Sequence, residues 1–179
     1  GGAALERRFG GRLAFGTAGL RGPLGAGPMR MNRVLVRMTA AAIGRRLLAG
    51  APGAATDSGP PPVVVIGYDA RRNSDVFAED TARMLAGLGI ASLVLPRPLP
   101  TPVLAFTLRN VGADAGIMVT ASHNPRTDNG YKVYCSDGAQ IVPPVDSEIS
   151  ALIDGAPLPT DADLAAGDDP LIERAGEAE

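Results

Sequence analysis

The stretch VTASHNPRTDNGYKVY, residues 119–134, carries three side chains that could take part in chemistry. Ser122 offers a hydroxyl, His123 is the single imidazole of the chain, and Lys132 follows an Asn-Gly pair. An apolar run precedes this polar stretch, and the Asn-Pro pair within it is typical of a tight turn. The pattern predicts a strand that ends in an exposed loop, where a hydroxyl stands beside ionisable groups.

Two reactions of a serine hydroxyl make different demands on its neighbours. A serine hydrolase needs an imidazole within hydrogen-bond reach of the hydroxyl, and a third group that orients the imidazole. His123 directly follows Ser122, and adjacent side chains of an extended segment point apart. The G-x-S-x-G elbow of many hydrolases is also absent. We therefore expect no acyl transfer at this serine.

Phosphoryl transfer needs an oxygen that carries the phosphoryl group, cations that hold its spread negative charge, and a proton carrier. Ser122, Lys132 and His123 meet these needs within one loop. Arg21 adds a second cation if its segment folds back over the loop. These four residues are the candidate catalytic residues.

The elements that must position this loop alternate along the chain. Short apolar segments that predict buried strands lie at 63–68, 91–96 and 115–120. Segments with helical spacing lie at 32–48, 74–87 and 101–112, and a last helix is predicted to begin after Pro143-Pro144. The Gly- and Pro-rich stretches 15–30 and 49–62 are predicted to be mostly loop.

A further strand is predicted at 131–135, after a loop too short for a parallel crossover, so we expect it to run antiparallel. The predicted fold class is α/β, a three-layer α/β/α sandwich with a small mixed sheet, mostly parallel with one antiparallel strand. Ligand sites of open α/β sheets lie beyond the carboxyl ends of the strands. The loop after residue 120 is therefore the first candidate site.

Composition limits the possible functions and partners. The chain of 179 residues has a net charge of −2, which gives no reason to expect nucleic acid or an anionic membrane as partner. The single cysteine, Cys135, excludes an internal disulfide and fits a reducing compartment, so we expect a cytoplasmic protein. We expect one domain at 1–154, followed by a linker or tail at 155–179 that is rich in Ala, Gly, Pro and Asp.

Three segments, taken in order, resemble the phosphoglucomutase/phosphomannomutase family, the α-D-phosphohexomutases. T-A-S-H-N-P followed by N-G-Y-K resembles the phosphoserine loop of that family. FGTAGLRG at 15–22 is similar to its N-terminal G-T-x-G-x-R-G element, and GYDARRNS at 67–74 is similar to its G-x-D-x-R-x-S segment. The resemblance covers residues 13–154 and identifies the chain as similar to the N-terminal domain of a longer protein.

This resemblance implies a mechanism and a set of partners. Ser122 would carry a phosphoryl group and pass it to a phosphosugar of the glucose 1-phosphate/glucose 6-phosphate type, through a bisphosphate intermediate. Arg21 and Lys132 would steady the phosphate, with His123 nearby. A Mg²⁺ ion would bind Ser122 through its phosphate, and its remaining ligands are expected in a second domain, because the family's D-G-D-x-D-R loop is not present here. The chain alone is therefore expected to be inactive as a mutase.

Other interpretations of the same residues stay open. The chain could be a non-catalytic phosphosugar-binding or interaction module on the same fold. His123 could hydrogen-bond the backbone, and Lys132 could lie on the solvated face of a strand. For Asp69, Arg71 and Arg72 a structural role is favoured, namely a turn with an ion pair.

Overall fold

The computed structural model describes residues 1–50 and 60–176 of the chain, and most of the predicted loop at 49–62 lies outside them. The helices are α1 (Gly2–Phe9), α2 (Arg33–Gly50), α3 (Ser74–Gly87), α4 (Thr101–Asn110) and α5 (Val145–Gly155). The strands are β1 (Leu20–Pro23), β2 (Val63–Tyr68), β3 (Ala91–Val94), β4 (Ala115–Val119), β5 (Asp128–Cys135) and β6 (Ile172–Arg174).

The six strands form one sheet in the order β1-β5-β4-β2-β3-β6. Strands β4, β2, β3 and β6 are parallel to one another, whereas β5 is antiparallel to both β4 and β1. β1 therefore runs in the same direction as the parallel set, and β5 alone is reversed. This confirms the predicted mixed sheet, mostly parallel with one antiparallel strand.

Helices cover both faces of the sheet, because alternate residues of each strand point to opposite sides. On one face, buried side chains of α2, α3 and α5 pack against residues such as Ile66 and Ile117. On the other face, Leu104 and Leu108 of α4 pack against Val65 and other strand residues. The result is the predicted three-layer α/β/α sandwich, with the apolar core divided between two interfaces.

Residues 15–30 are mostly loop, as predicted, but Leu20–Pro23 within them form the edge strand β1 beside β5, which was not predicted. The four-residue sequence Leu-Arg-Gly-Pro is too short to reveal an alternation of apolar and polar residues, and the pairing of β1 depends on a strand far along the sequence. Pro23 is tolerated because edge strands can lack one ladder hydrogen bond. Local pattern therefore could not reveal this strand.

The segment after residue 155 also differs from the expected linker. Ile172–Arg174 form β6, parallel to β3, and Ile172 is buried against the core. The sequence did not predict this strand, because it has only three residues, too few to show a periodic pattern, and lies in a segment rich in Gly, Asp and Ala. Where the first domain ends remains a prediction. Within the described residues, no helix is both long and apolar enough to cross a bilayer.

Candidate functional site

The serine loop, which we define as residues 120–128, begins where β4 ends. Ser122 is exposed, and its φ of 57° lies in the left-handed region that residues other than glycine rarely occupy. The Ser122 N–H donates to the hydroxyl oxygen of Thr120 at 3.0 Å, and the Asn124 N–H donates to the carbonyl of Ala121 at 3.0 Å. These bonds make a tight turn that places the serine at the surface, at the carboxyl end of a central strand.

Arg71, from the loop after β2, binds the serine loop from the side. Its Nη2 donates to the carbonyl oxygens of Ser122 at 2.8 Å and Asn124 at 2.9 Å. Its Nη1 donates to the carbonyl oxygens of Pro125 at 2.7 Å and Asp128 at 3.1 Å. One guanidinium therefore gathers backbone carbonyls from both ends of the loop.

Asp69 holds Arg71 in place. Its Oδ2 lies 3.2 Å from Nε of Arg71, and its Oδ1 accepts hydrogen bonds from the Arg71 N–H at 3.0 Å and the Ser74 hydroxyl at 2.7 Å. Ser74 in turn accepts a hydrogen bond from the side-chain amide of the buried Asn129 at 3.0 Å. The predicted turn with an ion pair is confirmed for Asp69 and Arg71. The sequence did not predict the contact of Arg71 with the serine loop. The available signal was the position of Arg71 directly after a predicted strand, in the segment GYDARRNS.

Arg21 and Lys132 lie on the adjacent strands β1 and β5. Arg21 is opposite Gly130 in the ladder between β1 and β5. Lys132 follows Gly130 by two residues on β5, so the side chains of Arg21 and Lys132 project from the same face of the sheet. Nε of Arg21 is buried and has no hydrogen-bond partner among the described residues. Burial lowers the pKa of Lys132, and the positive charge of Arg21 lowers it further. Neither cation makes an ion pair within the described part of the chain, so this cation pair lacks an anion.

Gly130 leaves room for the Arg21 side chain. A Cβ atom at Gly130 would stand 2.6 Å from the carbonyl oxygens of Leu20 and Thr120, and 3.2 Å from Cγ of Arg21. The Arg21 stem thus lies against Gly130 beside Thr120, two residues before Ser122. The structure brings Arg21 and Lys132 to the strands that flank the serine loop.

His123 lies on the same loop and is exposed. Within the described residues its imidazole has no hydrogen-bond partner, and the Ser122 hydroxyl is not bonded to it. The nucleophile–base hydrogen bond that a serine hydrolase requires is therefore not formed here. His123 remains free to contact a ligand that approaches the loop from solvent.

The described residues do not by themselves fit a metal site. Within the described ranges, no three His, Cys, Asp or Glu side chains lie together in a way that could hold an ion. Asp69 is committed to Arg71 and Ser74, and Oδ2 of Asp128 accepts a hydrogen bond from Asn124 at 3.1 Å. A phosphate on Ser122 would be the contribution of this loop to such a site.

A mostly apolar cavity lies elsewhere. It has a volume of about 580 Å³ and is lined by the loop 25–28, the first part of α2, Arg12 and Leu158. None of the four candidate catalytic residues lines it. The serine loop instead lies on an open surface. Such a surface suits a hydroxyl, that of Ser122, that must reach a ligand held partly by residues outside this loop.

Residues 12–158 match the family model described as phosphoglucomutase/phosphomannomutase, alpha/beta/alpha domain I. The chain is 47% identical over 147 residues to a probable phosphomannomutase of Haemophilus influenzae, a match that covers 80% of this chain and 29% of that protein. It is 43% identical over 148 residues to a phosphoglucomutase of Staphylococcus epidermidis, covering 82% of this chain and 26% of that protein.

A solved structure is similar as well. A Thermus thermophilus protein assigned as a phosphomannomutase superposes with a TM-score of 0.73 at 31% identity, covering 92% of this chain and 33% of that chain. The chain thus spans less than a third of the length of the curated relatives it matches. The matched part includes all four candidate catalytic residues.

Proposed function

Because the chain belongs to the phosphoglucomutase/phosphomannomutase family, in the part described as domain I, we propose that it is the phosphoryl-carrying part of a phosphosugar mutase. One observation supports this most directly. An exposed serine stands at a strand exit, and the neighbouring strands present two cations that have no anion among the described residues. A phosphoserine carries about −1.5 to −2 charge at neutral pH and would supply that anion.

The proposed reaction moves one phosphoryl group between two oxygens of a sugar. The bond between phosphorus and Oγ of phosphorylated Ser122 breaks as a sugar hydroxyl oxygen bonds to phosphorus, and the proton of that hydroxyl passes to Oγ. The sugar then carries two phosphates. After it turns over, the Ser122 hydroxyl bonds to the phosphorus of the other phosphate, and the proton of the serine passes to the sugar oxygen that is left behind. The serine is phosphorylated again, and the net change is an isomerisation.

The site residues divide these tasks according to their chemistry. The planar guanidinium of Arg21 offers several N–H donors, which would hold phosphate oxygens. Burial and Arg21 lower the pKa of Lys132, which makes its neutral form easier to reach and suits it to proton transfer as well as phosphate contact. His123 is exposed beside Ser122, and its imidazole would serve as a proton carrier in the transfer.

Mg²⁺ belongs to the proposal as an ion that would neutralise phosphate charge, with Ser122 as its contact through phosphate and its other ligands outside this chain. The proposed partners are a phosphosugar of the glucose 1-phosphate/glucose 6-phosphate type and further domains of the same protein, in the cytoplasm. No nucleic-acid or membrane partner is proposed. The relatives differ in the sugar that their names specify, so the hexose remains open. We propose negligible mutase activity for the chain alone.

A chimera tests the proposal. The chain replaces the matched first part of the Staphylococcus epidermidis phosphoglucomutase, and the product is incubated with glucose 1,6-bisphosphate and Mg²⁺. Intact-mass analysis should show one added phosphoryl group, located at Ser122 by peptide mapping. The Ser122→Ala chimera should gain none, and the unaltered relative serves as the positive control.

The same experiment separates the alternatives. A non-catalytic phosphosugar-binding module would show saturable binding of glucose 1-phosphate without a gain in mass. Phosphorylation at another residue, with Ser122 unmodified, would reject the proposed role of the serine. Robust conversion of glucose 1-phosphate to glucose 6-phosphate by the chain alone would reject its proposed inactivity in isolation.

A further inference from the structure

We propose that Arg71 is a positioning residue, which holds Ser122 in the backbone conformation from which it exchanges a phosphoryl group. The catalytic part of this inference rests on the function proposed above, whereas the structural part does not. Arg71 would touch neither the substrate nor the transferred group. It would act only through the backbone of the serine loop.

The hydrogen bonds of Arg71 are unusually complete. All four N–H groups of its two terminal nitrogens find backbone carbonyls, and these carbonyls belong to Ser122, Asn124, Pro125 and Asp128. Its Nε faces the carboxylate of Asp69. Hydrogen bonds from an ionised donor are stronger than neutral ones, and only the planar fork of arginine can bind so many acceptors at once. The loop is therefore folded around this guanidinium.

The conformation held in this way is an unfavourable one. Ser122 has φ of 57°, which costs free energy for a residue with a Cβ atom and persists only where the surroundings enforce it. Arg71 binds the carbonyl of Ser122 itself at 2.8 Å, and Thr120 accepts the Ser122 N–H at 3.0 Å. The N–H and the carbonyl of Ser122 are thus both held by hydrogen bonds. The fixed backbone in turn sets the direction in which the Ser122 side chain leaves the loop.

The proposed positioning role and a purely structural role of Arg71 predict different effects when its side chain is removed. Arg71 joins the two loops that follow the central strands β2 and β4 and lies outside the apolar core, with 16% of its side chain exposed. Its removal should therefore loosen the serine loop and leave β2 and β4 protected. A residue that merely stabilised the fold would, when removed, raise opening of the loop and of the strands together.

The first test uses hydrogen exchange of the chain as it is. Arg71→Met keeps the length of the side chain and removes its donors, and Arg71→Lys keeps the charge without the fork. The matched control is Arg72→Met, because Arg72 is the next residue and is exposed. We expect exchange of the hydrogen-bonded loop amides, those of Ser122, Asn124 and Asp128, to rise about tenfold or more in both Arg71 variants, with little change in β2 and β4 and none in the control.

Unchanged exchange in the serine loop of Arg71→Met would overturn the inference, as would an equal rise in the loop and both strands. If Arg71→Met does not fold, Arg71→Lys decides by the same comparison. Recovery of wild-type loop protection in Arg71→Lys would also contradict it, since a lysine ammonium cannot replace the fork.

The second test measures the catalytic consequence in the chimera. The rate of phosphoryl gain at Ser122 at saturating glucose 1,6-bisphosphate should fall about tenfold or more in Arg71→Lys, because misplacement of a reacting oxygen is costly. The half-saturating donor concentration should change less than about twofold, because Arg21 and Lys132 are on other strands. A wild-type rate in this variant would overturn the catalytic part. If the unaltered chimera gains no phosphoryl group, the proposed function fails, and the exchange test still decides the positioning role.

Discussion

Two charged clusters of this molecule differ in whether their cations are paired with carboxylates. In the first, Asp80 of α3 is 1% exposed and accepts a bidentate ion pair from Arg33 of α2 at 2.7 and 2.8 Å. Arg37 adds a hydrogen bond to Asp80 at 3.1 Å and reaches Asp161 at 3.0 Å. In the second, the cation pair of Arg21 and Lys132, no carboxylate of the described residues is present.

The difference distinguishes a structural cluster from a candidate site. A charge removed from water needs an opposite charge or several hydrogen bonds, because its desolvation is otherwise uncompensated. The Asp80 cluster supplies opposite charge from its own carboxylates and joins α2 to α3, although Nε of Arg37, like Nε of Arg21, has no hydrogen-bond partner among the described residues. The hydrogen bond with Asp80 raises the pKa of Arg33. The cation pair leaves Nε of Arg21 without a partner among the described residues and lowers the pKa of Lys132. Its missing negative charge would come from a phosphate, as the proposed function requires.

The largest effect is expected from a substitution that removes the carboxylate of the Asp80 cluster. Asp80→Ala should lower the free energy of unfolding by about 3–5 kcal/mol, because two arginines lose a buried carboxylate. Urea denaturation followed by circular dichroism measures this. The matched control is Asp161→Ala, whose side chain is 95% exposed, and which should cost less than about 1 kcal/mol. Equal losses in the free energy of unfolding for the two variants would show that the burial of Asp80 does not determine how much this cluster stabilises the fold.

A smaller effect is expected where Arg21 passes the serine loop. Gly130→Ala would place a Cβ atom 2.6 Å from two backbone carbonyls, and should lower the free energy of unfolding by about 1–3 kcal/mol through overpacking. It should also weaken binding of inorganic phosphate, because Arg21 must move. Gly155→Ala is the control, since a Cβ atom there meets nothing within 4 Å. Full stability and phosphate binding in Gly130→Ala would show that the close approach is unimportant.

The smallest effect on stability has the opposite sign. Lys132→Met should leave the free energy of unfolding unchanged or raise it by up to about 1 kcal/mol at pH 7, because an uncompensated cation is removed from a partly buried site. Added phosphate should stabilise the wild-type chain and not this variant. Thermal unfolding with and without phosphate measures both effects, and a marked loss of stability in Lys132→Met would contradict the comparison.

The pH dependence of this effect follows from the lowered pKa of Lys132. The unfolded state binds more protons than the folded state between the folded pKa and the ordinary lysine value of 10.5. In that window the contribution of Lys132 to stability therefore rises with pH. Any stability advantage of Lys132→Met over wild type should shrink as pH approaches 10.5. An advantage that grew with pH would show that Lys132 is stabilised as a cation.

Local sequence pattern was sufficient for most of the architecture. The strands β2, β3 and β4, the helices between them and the reversal of β5 follow from apolar spacing, caps and loop length. These features depend on residues close together in the chain, which is why they can be predicted without knowledge of contacts. The serine loop could be located in the same way, because a polar turn after an apolar run lies at the carboxyl end of a strand.

What the sequence alone determined was thus the alternation of elements and the identity of the hydroxyl, the imidazole and the cations. The tertiary structure decided which charges are paired. The letters for Arg33, Arg71 and Arg21 are the same, yet one meets a buried carboxylate, one a set of backbone carbonyls, and one no anion among the described residues. Each outcome depends on strands and loops that are distant in sequence and adjacent in space, as do the pairings of β1 and β6. Electrostatic roles are set by neighbours within a few ångströms, and only the folded chain determines those neighbours.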